Sequence, residues 1–130
     1  MKLSTAEKVR EKIREVREEM KKLGANNYII ASLDDIAWLY NIRGNDVKCN
    51  PVVLSYALVK ENEAYLYVDK SKFTSKMEEE LLNEGVTLKS YEEIGNAIGN
   101  LEGKILIDPN KISAYLYECI KDKNNIVEFG

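Results

Sequence analysis

Amphipathic segments alternate with short apolar runs along the chain, and this alternation restricts the folds that it can adopt. Near the start, apolar residues recur every three or four positions, which predicts a helix with one buried face. These residues are Ala6, Val9, Ile13, Val16, Met20 and Leu23. Ser4 and Glu7 fit a capping box at the helix start, and Gly24 fits its C-terminal cap. Residues 28–32 (YIIAS) follow, and their nearly all-apolar sequence is typical of a strand buried on both faces.

The remaining segments continue the alternation. A short helix is predicted over residues 33–40, with Ser32 as its N-cap. The runs VVLSYALVK and EAYLYVD flank the polar turn KENE, which predicts an antiparallel hairpin. Next comes a predicted helix over residues 71–83, with Phe73, Met77, Leu81 and Leu82 on its inward face. The later predicted segments are, in order, the strand VTLKS, the weak helix YEEIGNAIGN, the strand KILID, a helix over residues 112–119 and the strand NIVEFG. This order predicts an α/β domain: a three-layer mixed sheet with helices on both faces.

Length and composition fit one globular domain. The chain has 130 residues, of which 45% are hydrophobic and 32% are charged. Its net charge of -3 leaves no basic excess to neutralise phosphates, so no nucleic-acid partner is expected. No apolar run approaches the roughly 18 residues of a membrane span, so no membrane partner is expected. The chain stops just after its last predicted strand, which suits a fragment of a longer multi-domain protein, although a natural chain end has the same form.

Histidine is absent from the sequence. Its absence excludes a histidine general base, a serine–histidine or cysteine–histidine pair, and a histidine-ligated metal centre. The cysteines, Cys49 and Cys119, lie far apart and suggest no disulfide framework. We therefore expect two reduced thiols in a cytoplasmic protein.

Aspartates follow two of the predicted strands. Asp34 and Asp35 come after the first strand, and Asp108 ends the strand KILID. Carboxylates at strand ends of an α/β sheet can hold a divalent cation. The same residues also fit a simpler arrangement, in which Ser32 and Asp35 cap the following helix and Asp108 forms a turn with Pro109. Capping and turn formation are the favoured interpretation.

Residues 41–46, NIRGND, are predicted to form a loop. Gly44 permits positive φ, and the planar guanidinium of Arg43 suits a carboxylate. Arg43 could reach a substrate or a neighbouring domain, or it could pair with Asp46 or a nearby carbonyl. Residue types alone favour the second possibility. Trp38, on the apolar side of the preceding helix, is expected to pack in the core.

The stretch DDIAWLYNIRGNDVKCNPVVLSYALV, residues 34–59, resembles the central non-catalytic domain of X-Pro aminopeptidases (aminopeptidase P). These enzymes are three-domain members of the creatinase/prolidase family. The matching features are DDIAWL, NIRG with an aspartate two residues later, NPV and SYA. The resemblance continues through YIIASLDDIAW before this stretch and EAYLYVDKSKF after it, and covers nearly all of the chain. It implies a creatinase N-terminal domain-like fold.

The resemblance implies that this domain performs no catalysis. In that family, a C-terminal domain with two divalent metals, usually manganese, hydrolyses the bond between an N-terminal residue and a following proline. Its metal ligands include a histidine, which this chain lacks, so neither catalytic residues, metal ligands nor cofactors are expected here. The implied partners are the catalytic and N-terminal domains of the same chain, proline-containing peptides, and a second copy in a homodimer.

The resemblance also points to a functional surface. Non-catalytic domains of this family form subunit contacts and partly wall the active-site cleft. By analogy, residues 41–51 would restrict substrate access or contact another domain. The candidate contact residues in this loop are Arg43, Asn45, Asp46, Asn50 and Pro51. Arg43 would anchor the contact and Trp38 would brace the loop from beneath, whereas Cys49 departs from the aromatic or small residue expected there.

Two other functions remain compatible with the sequence. The first is a stand-alone α/β binding or interaction module without catalysis. The second is a small metal-dependent enzyme that uses Asp34, Asp35 and Asp108, which would bind magnesium or manganese saturably.

Overall fold

The computed structural model describes residues 8–40 and 55–128, and within them it contains five α-helices and six β-strands. The helices are α1 (Val9–Lys22), α2 (Leu33–Leu39), α3 (Ser75–Asn83), α4 (Ile94–Gly99) and α5 (Ala114–Ile120). The strands are β1 (Asn27–Ile30), β2 (Ser55–Lys60), β3 (Ala64–Val68), β4 (Val86–Ser90), β5 (Ile105–Ile107) and β6 (Ile126–Glu128). The order of helices and strands is the predicted one. Within the described residues, no helix is both long enough and apolar enough to cross a membrane.

The strands form one mixed sheet in the order β4-β3-β2-β1-β5-β6. Strand β2 runs antiparallel to both of its neighbours, β1 and β3, whereas the pairs β3–β4, β1–β5 and β5–β6 are parallel. The pairing of β2 with β3 confirms the predicted hairpin, and a hydrogen bond from Lys60 N–H to the Glu63 carbonyl, 2.8 Å long, closes its turn. Strand β1 lies inside the sheet, as its nearly all-apolar sequence predicts.

Helices cover both faces of the sheet, and each face has its own hydrophobic core. Successive strand residues point to opposite faces, so every inner strand contributes to both cores. The core under α1, α2 and α3 includes Ile13, Ile36, Leu81, Val59 and Leu66. The core under α4 and α5 includes Ile98, Leu116, Leu58, Tyr67 and Ile105. The predicted three-layer α/β architecture is confirmed.

The start of α1 is capped by a residue that is distant in sequence. Its N-cap is Lys8, whose side chain makes no capping hydrogen bond. Instead, the backbone N–H of Arg10 donates to Oε1 of Glu84 at 3.1 Å. The first N–H groups of a helix have no helical partner, and a carboxylate there also suits the helix dipole. The predicted capping pair, Ser4 and Glu7, lies outside the described residues.

The end of α1 confirms the role predicted for Gly24. Its φ angle is +72°, a conformation that glycine adopts readily. The N–H of Gly24 donates to the Lys21 carbonyl at 3.2 Å, and the N–H of Ala25 donates to the Met20 carbonyl at 2.8 Å. This pair of bonds is the Schellman motif, which satisfies carbonyls at the helix end and turns the chain toward β1.

Helix α3 begins later than predicted. Residues 70–72 form a separate 3₁₀ turn, and α3 starts at Ser75 with Thr74 as its N-cap. The hydroxyl of Thr74 accepts a hydrogen bond from Met77 N–H at 3.1 Å, which fixes the helix start. Phe73, Met77 and Leu81 are buried as predicted, but Leu82 is 59% exposed, so its predicted inward position is wrong.

Candidate functional site

Trp38 lies on α2, just before the segment that the sequence singles out. Its indole ring packs against the core under α1 and remains partly exposed, which confirms the predicted core packing. The loop residues Arg43, Asn45, Asp46, Asn50 and Pro51 lie outside the described residues. Their predicted contacts, and the bracing of the loop by Trp38, therefore stay predictions.

A buried lysine of α1 holds the end of α2. Lys12 is 1% exposed; its Nζ donates to the backbone carbonyl of Trp38 at 2.7 Å and lies 4.8 Å from the centre of the indole ring. The last carbonyls of a helix lack helical partners and carry partial negative charge, so an ammonium group is stabilised there. The indole face also attracts a cation. Trp38 is thus held through both its backbone and its ring.

Lys12 was not among the predicted functional residues, although the sequence carries a signal for it. Lys12 lies three residues after Val9 and four before Val16, so helical spacing places it on the apolar face of α1. A charged residue on an apolar face calls for a buried partner, since lysine is almost never fully buried unpaired. The identity of that partner requires the fold.

Tyr40, which follows α2, is fully buried. Its hydroxyl donates to the backbone carbonyl of Tyr65 on β3 at 2.9 Å. Burial raises the pKa of Tyr40 far above its ordinary value, so the hydroxyl stays protonated and remains a donor. The chain is therefore fixed at the point where it enters residues 41–54.

The described chain resumes at Ser55, the first residue of β2. Ser55 pairs with Val68, the last residue of β3, and Ala57 pairs with Ile30, the last residue of β1. Because β2 is antiparallel to both, its start lies at the sheet edge where β1 and β3 end. Carboxyl-end edges of this kind are common ligand-binding positions in α/β sheets.

Three tyrosines cluster beside the start of β2, and the sequence did not group them. The rings of Tyr56 and Tyr91 are stacked, with centres 5.5 Å apart, and the ring of Tyr115 is tilted against Tyr56 at 6.4 Å. The Tyr56 hydroxyl and Ser113 Oγ share a hydrogen bond of 2.7 Å. Burial, together with the hydrogen bond to Tyr56, raises the pKa of Tyr91 to about 12, so the Tyr91 hydroxyl is neutral at physiological pH.

Asp35 and Asp108 lie where β1 and β5 run side by side and their following helices pass to opposite faces. The Asp35 carboxylate pairs with Lys111 Nζ at 3.0 Å, and Asp108 Oδ1 accepts a hydrogen bond from Asn110 N–H at 3.0 Å. Ser32 is the N-cap of α2, but its side chain makes no capping hydrogen bond. The predicted N-cap position of Ser32 is confirmed, but its predicted capping hydrogen bond is absent, and the Asp35 carboxylate pairs with Lys111 instead. The predicted turn at Asp108 is confirmed.

The crevice between these strand ends is closed. Its volume is about 10 Å³, which is at the lower limit for holding a single water molecule. Burial raises the pKa of Tyr28, which lines it, to about 12, and the charges of Asp35 and Asp108 add to that rise. Within residues 8–40 and 55–128, no three Asp, Glu, Cys or His side chains are grouped closely enough to hold a metal ion. The side chain of Asp34 lies outside the described part of the structure.

Comparison with known proteins places this fold in a family. The sequence profile of the Creatinase/Prolidase N-terminal domain matches residues 2–129. The chain belongs to this family. This creatinase/prolidase N-terminal domain is 39% identical over 123 residues to Xaa-Pro aminopeptidase 1 of Dictyostelium discoideum. The aligned residues cover 92% of this chain and 19% of that protein.

Solved structures share the fold of this creatinase/prolidase N-terminal domain. An X-prolyl aminopeptidase from Caenorhabditis elegans, a cytosolic enzyme with a di-nuclear active site, superposes with a TM-score of 0.81 at 24% identity over 95% of this chain and 21% of that one. A creatinase/prolidase-like N-terminal domain from Corynebacterium diphtheriae superposes with a TM-score of 0.64 at 8% identity, over 94% of this chain and 98% of that one. The chain therefore spans about a fifth of the length of the Dictyostelium and Caenorhabditis enzymes.

Proposed function

We propose that this domain is a non-catalytic accessory part of a metal-dependent Xaa-Pro aminopeptidase, in which it limits substrate access and forms contacts with other domains or subunits. The observation that carries the proposal is the match to the Dictyostelium enzyme over 92% of this chain but only 19% of that protein. Such proportions suit one domain of a longer, multi-domain chain.

The chemistry would then reside in a different domain. The chain contains no histidine, and in its described part Asp35 and Asp108 are engaged by Lys111 and by a turn. These residues do not fit a metal centre, so we assign the two divalent metals, manganese by family resemblance, to a catalytic domain of the longer protein. We expect calorimetry of the 130-residue chain to detect no saturable manganese or magnesium binding at millimolar metal. Saturable binding would instead favour the small-enzyme alternative.

Residues 41–51 are the proposed contact surface of this domain. Arg43 would anchor it, and Trp38, whose carbonyl accepts a hydrogen bond from Lys12, would brace it from beneath. The partners would be the catalytic and N-terminal domains of the same chain, the proline-containing peptide, and a second subunit in a cytoplasmic homodimer.

The size of the native polypeptide tests the fragment proposal. An antibody against this domain should detect a band several times larger than 14.9 kDa in the source cells. A band at 14.9 kDa would contradict the proposal and favour the stand-alone binding or interaction module.

Substitution of Arg43 tests the role of the loop. In the longer enzyme, Arg43→Ala should lower kcat/KM for X-Pro peptides about ten- to hundredfold, because a hydrogen bond from a charged group is lost. Arg14→Ala removes the same side chain from an exposed position on α1 and should leave kcat/KM within about twofold. Metal content should be equal in both variants. An unchanged kcat/KM in Arg43→Ala would remove Arg43 from the access surface.

A further inference from the structure

The burial of Lys12 is not required by packing alone. Taking an ammonium group out of water is costly, and replacing buried charged groups with apolar ones of similar size is often neutral or stabilising. A methionine has a similar length and would fill the same space in the core under α1. The lysine adds interactions that methionine lacks, among them a directional hydrogen bond to the Trp38 carbonyl and attraction to the indole ring.

Both of those interactions converge on Trp38. Lys12 Nζ reaches the Trp38 carbonyl at 2.7 Å, one residue before α2 ends, and lies 4.8 Å from the indole centre. The opposite end of α2 is tied separately, by the ion pair between Asp35 and Lys111 at 3.0 Å. A helix of only seven residues is thus held at each end by a lysine from another element.

We propose that Lys12 is a positioning residue, which sets the C-terminal end of α2 from Trp38 to Tyr40. An isolated helix this short is marginal, so its end needs a tertiary contact to stay formed. Lys12 supplies that contact from inside the domain, where its side chain is almost fully shielded from water. The consequence for substrate access rests on the proposed function; the positioning itself does not.

The test uses Lys12→Met in the 130-residue chain, with Lys21→Met as the matched control. Both variants remove one positive charge from α1, but Lys21 is exposed. Amide hydrogen exchange of Leu39 and Tyr40 should accelerate about ten- to hundredfold in Lys12→Met, since a charged hydrogen bond at the helix end is lost. Trp38 is the sole tryptophan, so its fluorescence reports the missing cation directly, and its emission should change. Lys21→Met should leave both readouts unchanged.

Unchanged exchange and unchanged Trp38 emission in Lys12→Met would overturn the proposal. A second measurement needs no substitution, and so holds even if the variant fails to fold. In the unmodified protein, the Hε protons of Lys12 should resonate upfield of ordinary lysine values, because the adjacent Nζ atom lies over the indole face. Ordinary shifts would show that the cation does not occupy this position.

The same variant separates this inference from the proposed function. In the longer enzyme, Lys12→Met should raise KM more than it lowers kcat if residues 41–51 contact substrate. Faster exchange at Tyr40 with unchanged kinetic constants would support the positioning role and count against the proposed function of the loop.

Discussion

At the scale of single residues, the contact between Arg10 and Glu84 joins α1 to the end of α3. The guanidinium lies 3.2 Å from Glu84 Oε2, and the backbone N–H of Arg10 also donates to the same carboxylate. The hydrogen bond from the Arg10 side chain lowers the pKa of Glu84 below its ordinary value. A carboxylate with a depressed pKa in the folded state stabilises the protein above its unfolded pKa, and this contribution disappears as pH falls through the folded value.

Glu84→Gln should therefore be less stable than the unmodified protein near neutral pH. The difference should shrink as pH falls below about 4, because protonation of Glu84 then removes the same charge. Thermal unfolding between pH 3 and 7 measures this. Glu79→Gln, at an exposed position on α3, should show little difference at any pH. A Glu84→Gln difference that stays constant across this range would rule out the ion pair as its cause.

At the scale of elements, the helix starts differ in what holds them. Thr74 caps α3 with its hydroxyl, whereas the side chain of Ser32 makes no capping bond to α2. Thr74→Ala should lower the free energy of unfolding by about 1 kcal/mol, and Ser32→Ala by less than about 0.5 kcal/mol. Urea unfolding of the two variants provides the comparison. Equal losses would mean that the two caps are equivalent.

Local periodicity was sufficient to predict the elements but not the contacts between them. The spacing of apolar residues along α1 predicts a buried face, and the polar turn after Lys60 predicts a hairpin. Both patterns depend only on residues that are close together in the sequence. The cap that Glu84 supplies to α1 depends on a partner far along the chain. The pairing of Lys111 with Asp35 is equally distant, so the sequence around Ser32 could not reveal it.

In the candidate site, too, the local structure was predictable from the sequence, but the contacts between distant elements were not. Packing of Trp38 was predictable from the apolar residues around it. The contact that holds it, from Lys12, links two helices whose proximity the sequence alone does not give. The tyrosine cluster likewise arises because the sheet brings Tyr56 next to Tyr91 and Tyr115.

At the scale of the whole molecule, the strands of one sheet contribute side chains to both hydrophobic cores. We therefore expect the two cores to unfold together. Leu58 faces the α4 and α5 side, and Leu66 faces the α1 side; both are buried. Substitution of either by Ala should cost about 2–5 kcal/mol, because each leaves a cavity. Leu82→Ala, at an exposed position, should cost less than about 0.5 kcal/mol.

In both core variants, Trp38 fluorescence and tyrosine near-ultraviolet circular dichroism should report the same unfolding midpoint. Trp38 packs against the core under α1, α2 and α3 and reports its unfolding. The cluster around Tyr56 belongs to the core under α4 and α5 and reports the unfolding of that core. Coincident transitions are the mark of a single cooperative unit. Midpoints that separate by more than the experimental error would show that each face unfolds by itself.

The strand order also has a consequence for the route by which the chain folds. The neighbours β2 and β3 meet across a tight turn, whereas β1 meets β5 only after more than half of the sequence has intervened. Pairings between distant segments form slowly, because a long loop must close first. We expect β2 and β3 to gain amide protection before β5 does, which pulse-labelled hydrogen exchange during refolding would reveal, and simultaneous protection would contradict. The core under α4 and α5, which needs Ile105, would then be the last part of the molecule to assemble.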